Sequence, residues 1–151
     1  MSTTGDILPA SSPTIRYAEV SDADAVFALV GNLGHPVPVK ADTFRTSFDA
    51  AISDQPRTLV HVAEVDGQVV GYSLTTISSL LYTNGPSAQL QEIVVDDSTQ
   101  TRGVGTALVR AVEKDCEKHG VTQLTVASRR AGGFYDRLGY TQQAEYMRRL
   151  F

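Results

Sequence analysis

Residues Gln91 to Gly120 constrain the fold more than any other stretch of this chain. They read as a short apolar strand, a polar bend, then Gln100-x-x-Gly103-x-Gly105, then a long amphipathic helix. A glycine pair at the mouth of a helix lets backbone N–H groups approach an anion, and the helix dipole favours negative charge at the same end. The stretch is therefore a candidate pyrophosphate cradle. A Walker-type phosphate loop fails, because no Gly-Lys-Ser/Thr follows. A dinucleotide-binding fingerprint needs a third small residue where Leu108 stands. A strand–helix turn whose glycines serve packing alone stays open, since a lone pair of glycines is a weak signal.

The rest of the chain supplies the elements around this stretch. Met1 to Pro13, rich in Ser, Thr, Pro and Ala, reads as a flexible tail, and residues 14–151 as a single domain. Thr14 to Ala18 alternates as a strand. Ser21-Asp22-Ala23-Asp24 opens a helix in the manner of a capping box, and Gly31 closes it. Gly34 to Pro38 is an irregular loop. Phe44, Phe48 and Ile52 mark one face of a second helix over Ala41–Ser53. Thr58–Val65, Asp66-Gly67 and Gln68–Ile77 form a hairpin with a two-residue turn. Leu80, Leu81 and Tyr82 then lie in a loop, and core packing is favoured for them over a ligand wall. A strand over Ser87–Val95 feeds the glycine turn. The following helix spans Arg102 to His119, with Val104, Leu108, Ala111 and Val112 inward. A strand over Val121–Ala127, a short helix over Ala131–Leu138 and a last strand over Thr141–Leu150 complete the order. Strand–helix–strand units imply local parallel pairing and the hairpin implies antiparallel pairing. The expected fold is α/β: a mixed, mostly antiparallel central sheet of about 6–7 strands with helices on both faces.

Composition narrows the function. The 151 residues carry a formal charge of −4 and no basic tract, which argues against nucleic acid as a partner. No apolar run approaches the roughly 20 residues of a membrane span. No basic region followed by an apolar core marks a signal peptide, so cytoplasm is the expected location. The single cysteine, Cys116, excludes an internal disulfide and falls with Leu108 and Val112 on the buried side of its helix. His61, in mid-strand, reads as a satisfied core or edge histidine. The spacing of His, Cys and acidic residues offers no metal site.

Beyond the next strand comes Ser128-x-x-Ala131-x-x-Phe134-Tyr135-x-x-x-Gly139-Tyr140. This pattern and Gln100–Gly105, in this order and on these elements, resemble the GNAT family of acyl-CoA-dependent N-acyltransferases. The element order from Thr14 to Leu150 is similar as well. The paired motifs are specific for the family and say almost nothing about the acceptor.

The resemblance implies acetyl-CoA as co-substrate and no metal. The Gln100–Gly105 segment, including Thr101, would take the pyrophosphate on the backbone N–H groups of Arg102, Gly103, Val104, Gly105 and Thr106. Ile93, Val94 and Val95 would pair through their backbone with the pantetheine arm, in a gap where two strands splay after a bulge. Tyr135 would stand near the thioester sulfur as the acid for the departing thiolate. Glu92 is the candidate base for the amine; alternation puts it on a face with Leu90 and Val94, where a carboxylate is costly without a role or a partner. Solvation at a strand edge or an ion pair remains the competing account of Glu92, and core packing that of Tyr135. Ser128 stands where relatives often carry Asn and offers one hydrogen bond to the pantetheine. Arg129 and Arg130 would meet the 3′-phosphate or face water, with water favoured. His35 and Tyr82 are the candidate acceptor-side residues, with Glu92. The family also implies a homodimer through the C-terminal strands.

The resulting expectation is an N-acetyltransferase that moves the acetyl group of acetyl-CoA to a primary amine by direct attack. A catalytically silent acyl-CoA-binding module is the alternative, and a nucleotide-binding enzyme the second rival.

Overall fold

The computed structural model describes residues 12–128 and 133–151, and the side chains of these except 100–102. In chain order the elements are β1 (Thr14–Tyr17), α1 (Ala23–Val30), α2 (Ala41–Ile52), β2 (Thr58–Val65), β3 (Gln68–Ser79), β4 (Pro86–Val95), α3 (Val104–Lys118), β5 (Gln123–Val126) and α4 (Phe134–Arg137). Among the described residues the sheet has five strands in the order β1-β2-β3-β4-β5. Every pairing is antiparallel except β4 with β5, which is parallel.

The mixed, mostly antiparallel sheet matches the reading of the sequence, but five strands replace the expected 6–7. The shortfall is at the C-terminus. Residues 141–151 form no strand, and all of them are exposed. Alternating apolar residues there suit a pleated surface, but propensity alone does not supply a partner strand.

The β2–β3 turn is the one the sequence calls for. Asp66 and Gly67 have φ of 52° and 78°, the paired positive angles that a two-residue hairpin turn needs. The β3–β4 connection corrects an expectation. Leu80, Leu81 and Tyr82 are 41%, 105% and 74% exposed, so they do not plug the core. β3 and β4 pair out to Ser79↔Pro86, which carries the connecting loop beyond the layer that the helices cover.

Helices cover both faces. On one, Val26 and Leu29 of α1 and Phe48 of α2 pack with Val62, Tyr72 and Val94. On the other, Val104 and Leu108 of α3 meet Ala63, Val70 and Val95, and Val109, Val112 and Cys116 meet Ala88 and Leu90. Cys116 is thus packing, as expected. Just ahead of α1 the box forms two residues earlier than the sequence implies. It uses Glu19 and Asp22, with the Glu19 N–H donating to Asp22 Oδ2 at 2.7 Å. Arg16 of β1 donates to both Asp22 oxygens at 2.8 and 2.9 Å and also pairs with Glu64 of β2. His61 is buried as expected but only half satisfied: its Nε2 lies 2.7 Å from Asp115 Oδ2, to which the Tyr17 hydroxyl also donates at 2.8 Å, while its buried Nδ1 has no hydrogen-bond partner among the described residues. Burial works against the Asp115 charge, but the hydrogen bonds from Tyr17 and His61 hold its pKa below the usual value.

Candidate functional site

The site is built where β4 parts from β5. The two strands pair from Ser87↔Gln123 to Leu90↔Val126, and there β5 ends. β4 continues to Val95, paired only with β3 among the described residues. One residue past the fork the β3 register shifts: Leu74 faces Glu92 while Thr75 faces Leu90, so Gln91 is an extra residue. A bulge of this kind kinks its strand and increases the local twist. The backbone of Gln91 to Val95 therefore has one edge without a strand partner, a row of open N–H and C=O groups.

The bulge also decides which way the side chains point. Strict alternation would put Leu90, Glu92 and Val94 on one face. Instead Leu90 packs with Val109 and Val112 beneath α3, while Val94 packs with Tyr72 beneath α1 and α2. Glu92 follows Val94, so its expected companionship with Leu90 is corrected. Its carboxylate has a partner that sequence reasoning missed: the Tyr72 hydroxyl donates to Glu92 Oε1 at 2.7 Å. Tyr72 is buried, and burial, followed by the nearby Glu92 charge, pushes its pKa far up. It therefore stays a proton donor to Glu92. The hairpin turn fixes how β2 meets β3, but nothing local fixes the β3–β4 register, so no sequence signal brought Tyr72 to Glu92.

At the far end of β4 the chain makes a short 3-10 turn over Asp97–Arg102 and enters α3 through Gly103. α3 begins at Val104, two residues later than expected. Gly103 has φ +72°, a conformation costly for other L-residues, and caps the helix with no side-chain bond. Its carbonyl accepts the Ala107 N–H at 3.0 Å, the first bond of the helix. The N–H groups of Val104, Gly105 and Thr106 precede that bond and point out of the helix end. No acidic residue stands in the first turn. These groups fit an anion. Gln100, Thr101 and Arg102 lie in the 3-10 turn, and their side chains fall outside the described residues, as do Arg129, Arg130, Ala131 and Gly132.

The two sequence motifs meet in space. A Cβ placed on Gly105 would lie 3.5 Å from Phe134 Cζ and 3.8 Å from Val95 Cγ2, so α4 packs against the first turn of α3. Tyr135 is 9% exposed and shares a cluster with Leu90, Val109 and Val112, with Val126 at its margin. It stands at the fork on the α3 face, while Glu92 stands on the other. Phe134 and Tyr140 bracket the Tyr135 ring edge-on, at 4.9 and 5.7 Å between centroids. The Tyr140 hydroxyl donates to Glu113 Oε2 of α3 at 2.6 Å, which anchors the end of this motif. Burial and then the bond to Glu113 raise the Tyr140 pKa.

Ser128 is exposed just beyond β5 and lines a cleft of about 1420 Å³ that also touches Val126, Phe134 and Tyr135. Most of that cleft follows the C-terminal segment along β5, away from Gly103 and Gly105. Ile93 and Val95 face α3 and Val94 faces α1 and α2. His35 is exposed, its Nδ1 taken up by its own loop, 3.1 Å from the Val37 N. Tyr82 stands at the tip of the β3–β4 loop, 3.4 Å from Gln123 Nε2. The structure thus gathers Glu92, the β4 edge, Tyr135 and the mouth of α3, and leaves His35 and Tyr82 at the periphery.

A strand fork beside a helix mouth that is open to an anion is the arrangement that the sequence resemblance implies. A family model described as acetyltransferase (GNAT) domain matches residues 33–149. The chain belongs to the GNAT acetyltransferase family. Its fold is similar to that of a glucosamine-6-phosphate N-acetyltransferase from Arabidopsis thaliana (TM-score 0.81, 21% identity, 93% of this chain and 99% of that one). An acetyltransferase from Trypanosoma brucei (TM-score 0.78, 21% identity, 93% and 100% covered) is similar too. So is a ribosomal-protein-alanine N-acetyltransferase from Brucella melitensis biovar Abortus 2308 (TM-score 0.71, 17% identity, 93% and 100% covered). At these identities the likeness is one of fold. No curated protein matches the chain in sequence.

Proposed function

We propose that the chain is an N-acetyltransferase that takes the acetyl group of acetyl-CoA and passes it to a primary amine by direct attack. The observation that carries this reading is the meeting of the two motifs at the fork: Phe134 lies over Gly105 while Tyr135 packs beside Leu90, where β5 leaves β4. The free N–H groups at the start of α3 would hold the pyrophosphate. The open edge of Gln91–Val95 would hold the pantetheine arm as a further strand. Acetyl-CoA supplies the activated thioester.

The protein's share of the chemistry is positioning and proton handling. As the acceptor nitrogen bonds to the acyl carbon, its proton passes to Glu92, directly or through water. As the C–S bond breaks, Tyr135 donates its hydroxyl proton to the departing thiolate. The Tyr72 hydroxyl holds one oxygen of Glu92, which leaves the other for the amine.

The test is to mix the protein with acetyl-CoA and a panel of amines and to follow free thiol. Acceptor-dependent thiol release is expected. Tight acetyl-CoA binding with no release across the panel would instead describe a silent binding module.

A further inference from the structure

On the face of the sheet that carries Glu92, a hollow of about 260 Å³ opens between β3, β4 and β5, next to the bulge. The register builds it. Thr76 stands opposite Gln89 and Ser78 opposite Ser87, and on the other side of β4 Gln123 and Thr125 stand opposite Ser87 and Gln89. Every second residue shares a face, so Gln91 joins Ser87 and Gln89, and the bulge brings Glu92 onto the same side. Leu80 and Tyr82, exposed at the loop tip, rise as one wall.

The chemistry of this hollow is uniform. Three primary amides and several hydroxyls line it, and no charged side chain does. Gln123 Nε2 donates to Ser87 Oγ at 3.1 Å and Gln91 Nε2 to Thr76 Oγ1 at 3.0 Å. Those bonds orient two amides and leave their carbonyls to accept from a ligand. The half-buried Gln89 side chain makes no hydrogen bond among the described residues. Glu92, one step along the same face, is the nearest carboxylate in the strand.

We propose that the acceptor is a polyhydroxylated amine of the amino-sugar class, without phosphate or carboxylate, whose hydroxyl-bearing body sits in this hollow and whose amine reaches Glu92. The proposal rests on the acyl-transfer reading. Sugar hydroxyls both donate and accept, as do the amides and hydroxyls that line the hollow. An anionic group would lose its hydration where no cation replaces it. A polyamine would bring further cations to a wall that offers them no carboxylate. An apolar amine would leave the amides without partners. The Tyr82 ring offers an apolar platform for the C–H face of a sugar, with its hydroxyl still wet. The volume falls below the roughly 300 Å³ at which drug-sized pockets begin, which suits one monosaccharide ring.

The experiment has two readouts, acetyl-CoA affinity by calorimetry and kcat/KM from thiol release. The acceptors are glucosamine, glucosamine 6-phosphate, cyclohexylamine, spermidine and a short peptide with a free N-terminus. Glucosamine is expected to exceed its phosphate ester and the peptide by about tenfold, and cyclohexylamine by about 100-fold. Gln89→Leu is expected to raise the KM for glucosamine about tenfold and to leave acetyl-CoA affinity unchanged; Gln123→Leu is the second variant, with circular dichroism as the check of folding. Faster turnover of the phosphate ester, spermidine or the peptide would overturn the sugar assignment and leave acyl transfer standing. Absence of acetyl-CoA binding, or binding without thiol release from any amine, would overturn both.

Discussion

Tyr135 is a core side chain to which a second role, that of the acid, is proposed. It is buried with Leu90, Val109 and Val112, so packing alone would account for an aromatic here. Its place at the end of β4–β5 pairing is what packing does not require. Tyr135→Phe keeps the ring and removes the hydroxyl. The expected result is a kcat lowered by about 100-fold with acetyl-CoA affinity unchanged, read by thiol release and calorimetry. An unchanged kcat would reduce Tyr135 to a core residue. Glu92 shows the opposite case: a carboxylate on an apolar face that sequence alone left with either a role or a partner. It has the partner, Tyr72, and the same bond would orient it for the proposed role.

At the scale of elements, the start of α3 separates stability from binding. Gly105 needs no positive φ, and a methyl group there would make only ordinary contacts with Phe134 and Val95. Glycine in a helix costs up to about 1 kcal/mol relative to alanine. Gly105→Ala is therefore expected to raise the melting temperature slightly and to weaken acetyl-CoA binding at least fivefold, because the added Cβ crowds the N–H cradle. Thermal melts and calorimetry on the same sample would check both signs. A variant that binds normally would mean that the anion does not approach Gly105.

The junction of β1 with α1 gives a pH dependence. Hydrogen bonds from Arg16 hold the Asp22 pKa below its usual value, helped by the Glu19 N–H and opposed by burial. A depressed folded pKa means a contribution that is present above the unfolded value of about 3.9 and lost as pH falls through the folded value. Asp22→Asn should cost roughly 1–2 kcal/mol at neutral pH. The gap from the native chain should close as pH drops below about 4. Denaturant midpoints across pH 2–8 would show it; a constant gap would assign the cost to the cap geometry instead of the charge.

For the whole molecule, ligand binding and folding are linked. At 100 times its dissociation constant acetyl-CoA should add about 2.7 kcal/mol to stability. For a chain of this length that corresponds to a melting temperature higher by roughly 5–10 °C. NAD and ATP should produce no comparable shift in a parallel scan. Stabilisation by NAD alone would contradict an acyl-CoA site. The open β4 edge belongs to the same scale, because it exists only in the assembled sheet: β3 fills one side of β4 to Val95 and β5 stops at Val126.

Much of this was legible in the chain itself. Local chemistry determined the Asp66-Gly67 hairpin, α2 with its Phe44 and Phe48 face, the entry to α3 through Gly103, and the motif pair that names the family. Each depends on backbone angle, periodicity or spacing within a few residues, and those travel with the sequence. The tertiary structure decided what pairing decides. It set five strands among the described residues where 141–150 promised another, because a strand needs a partner and not only a pattern. It turned Leu80, Leu81 and Tyr82 outward, because β3 and β4 run past the layer that the helices cover. It placed an extra residue at Gln91, which sent Leu90 to one face and Glu92 to the other, against Tyr72. A bulge arises from the register between strands far apart in the chain, so no local pattern announces it. The candidate cradle at Gln100–Gly105 could be read from glycines at a helix mouth; the fork beside it, where acyl transfer is proposed, came only with the assembled sheet.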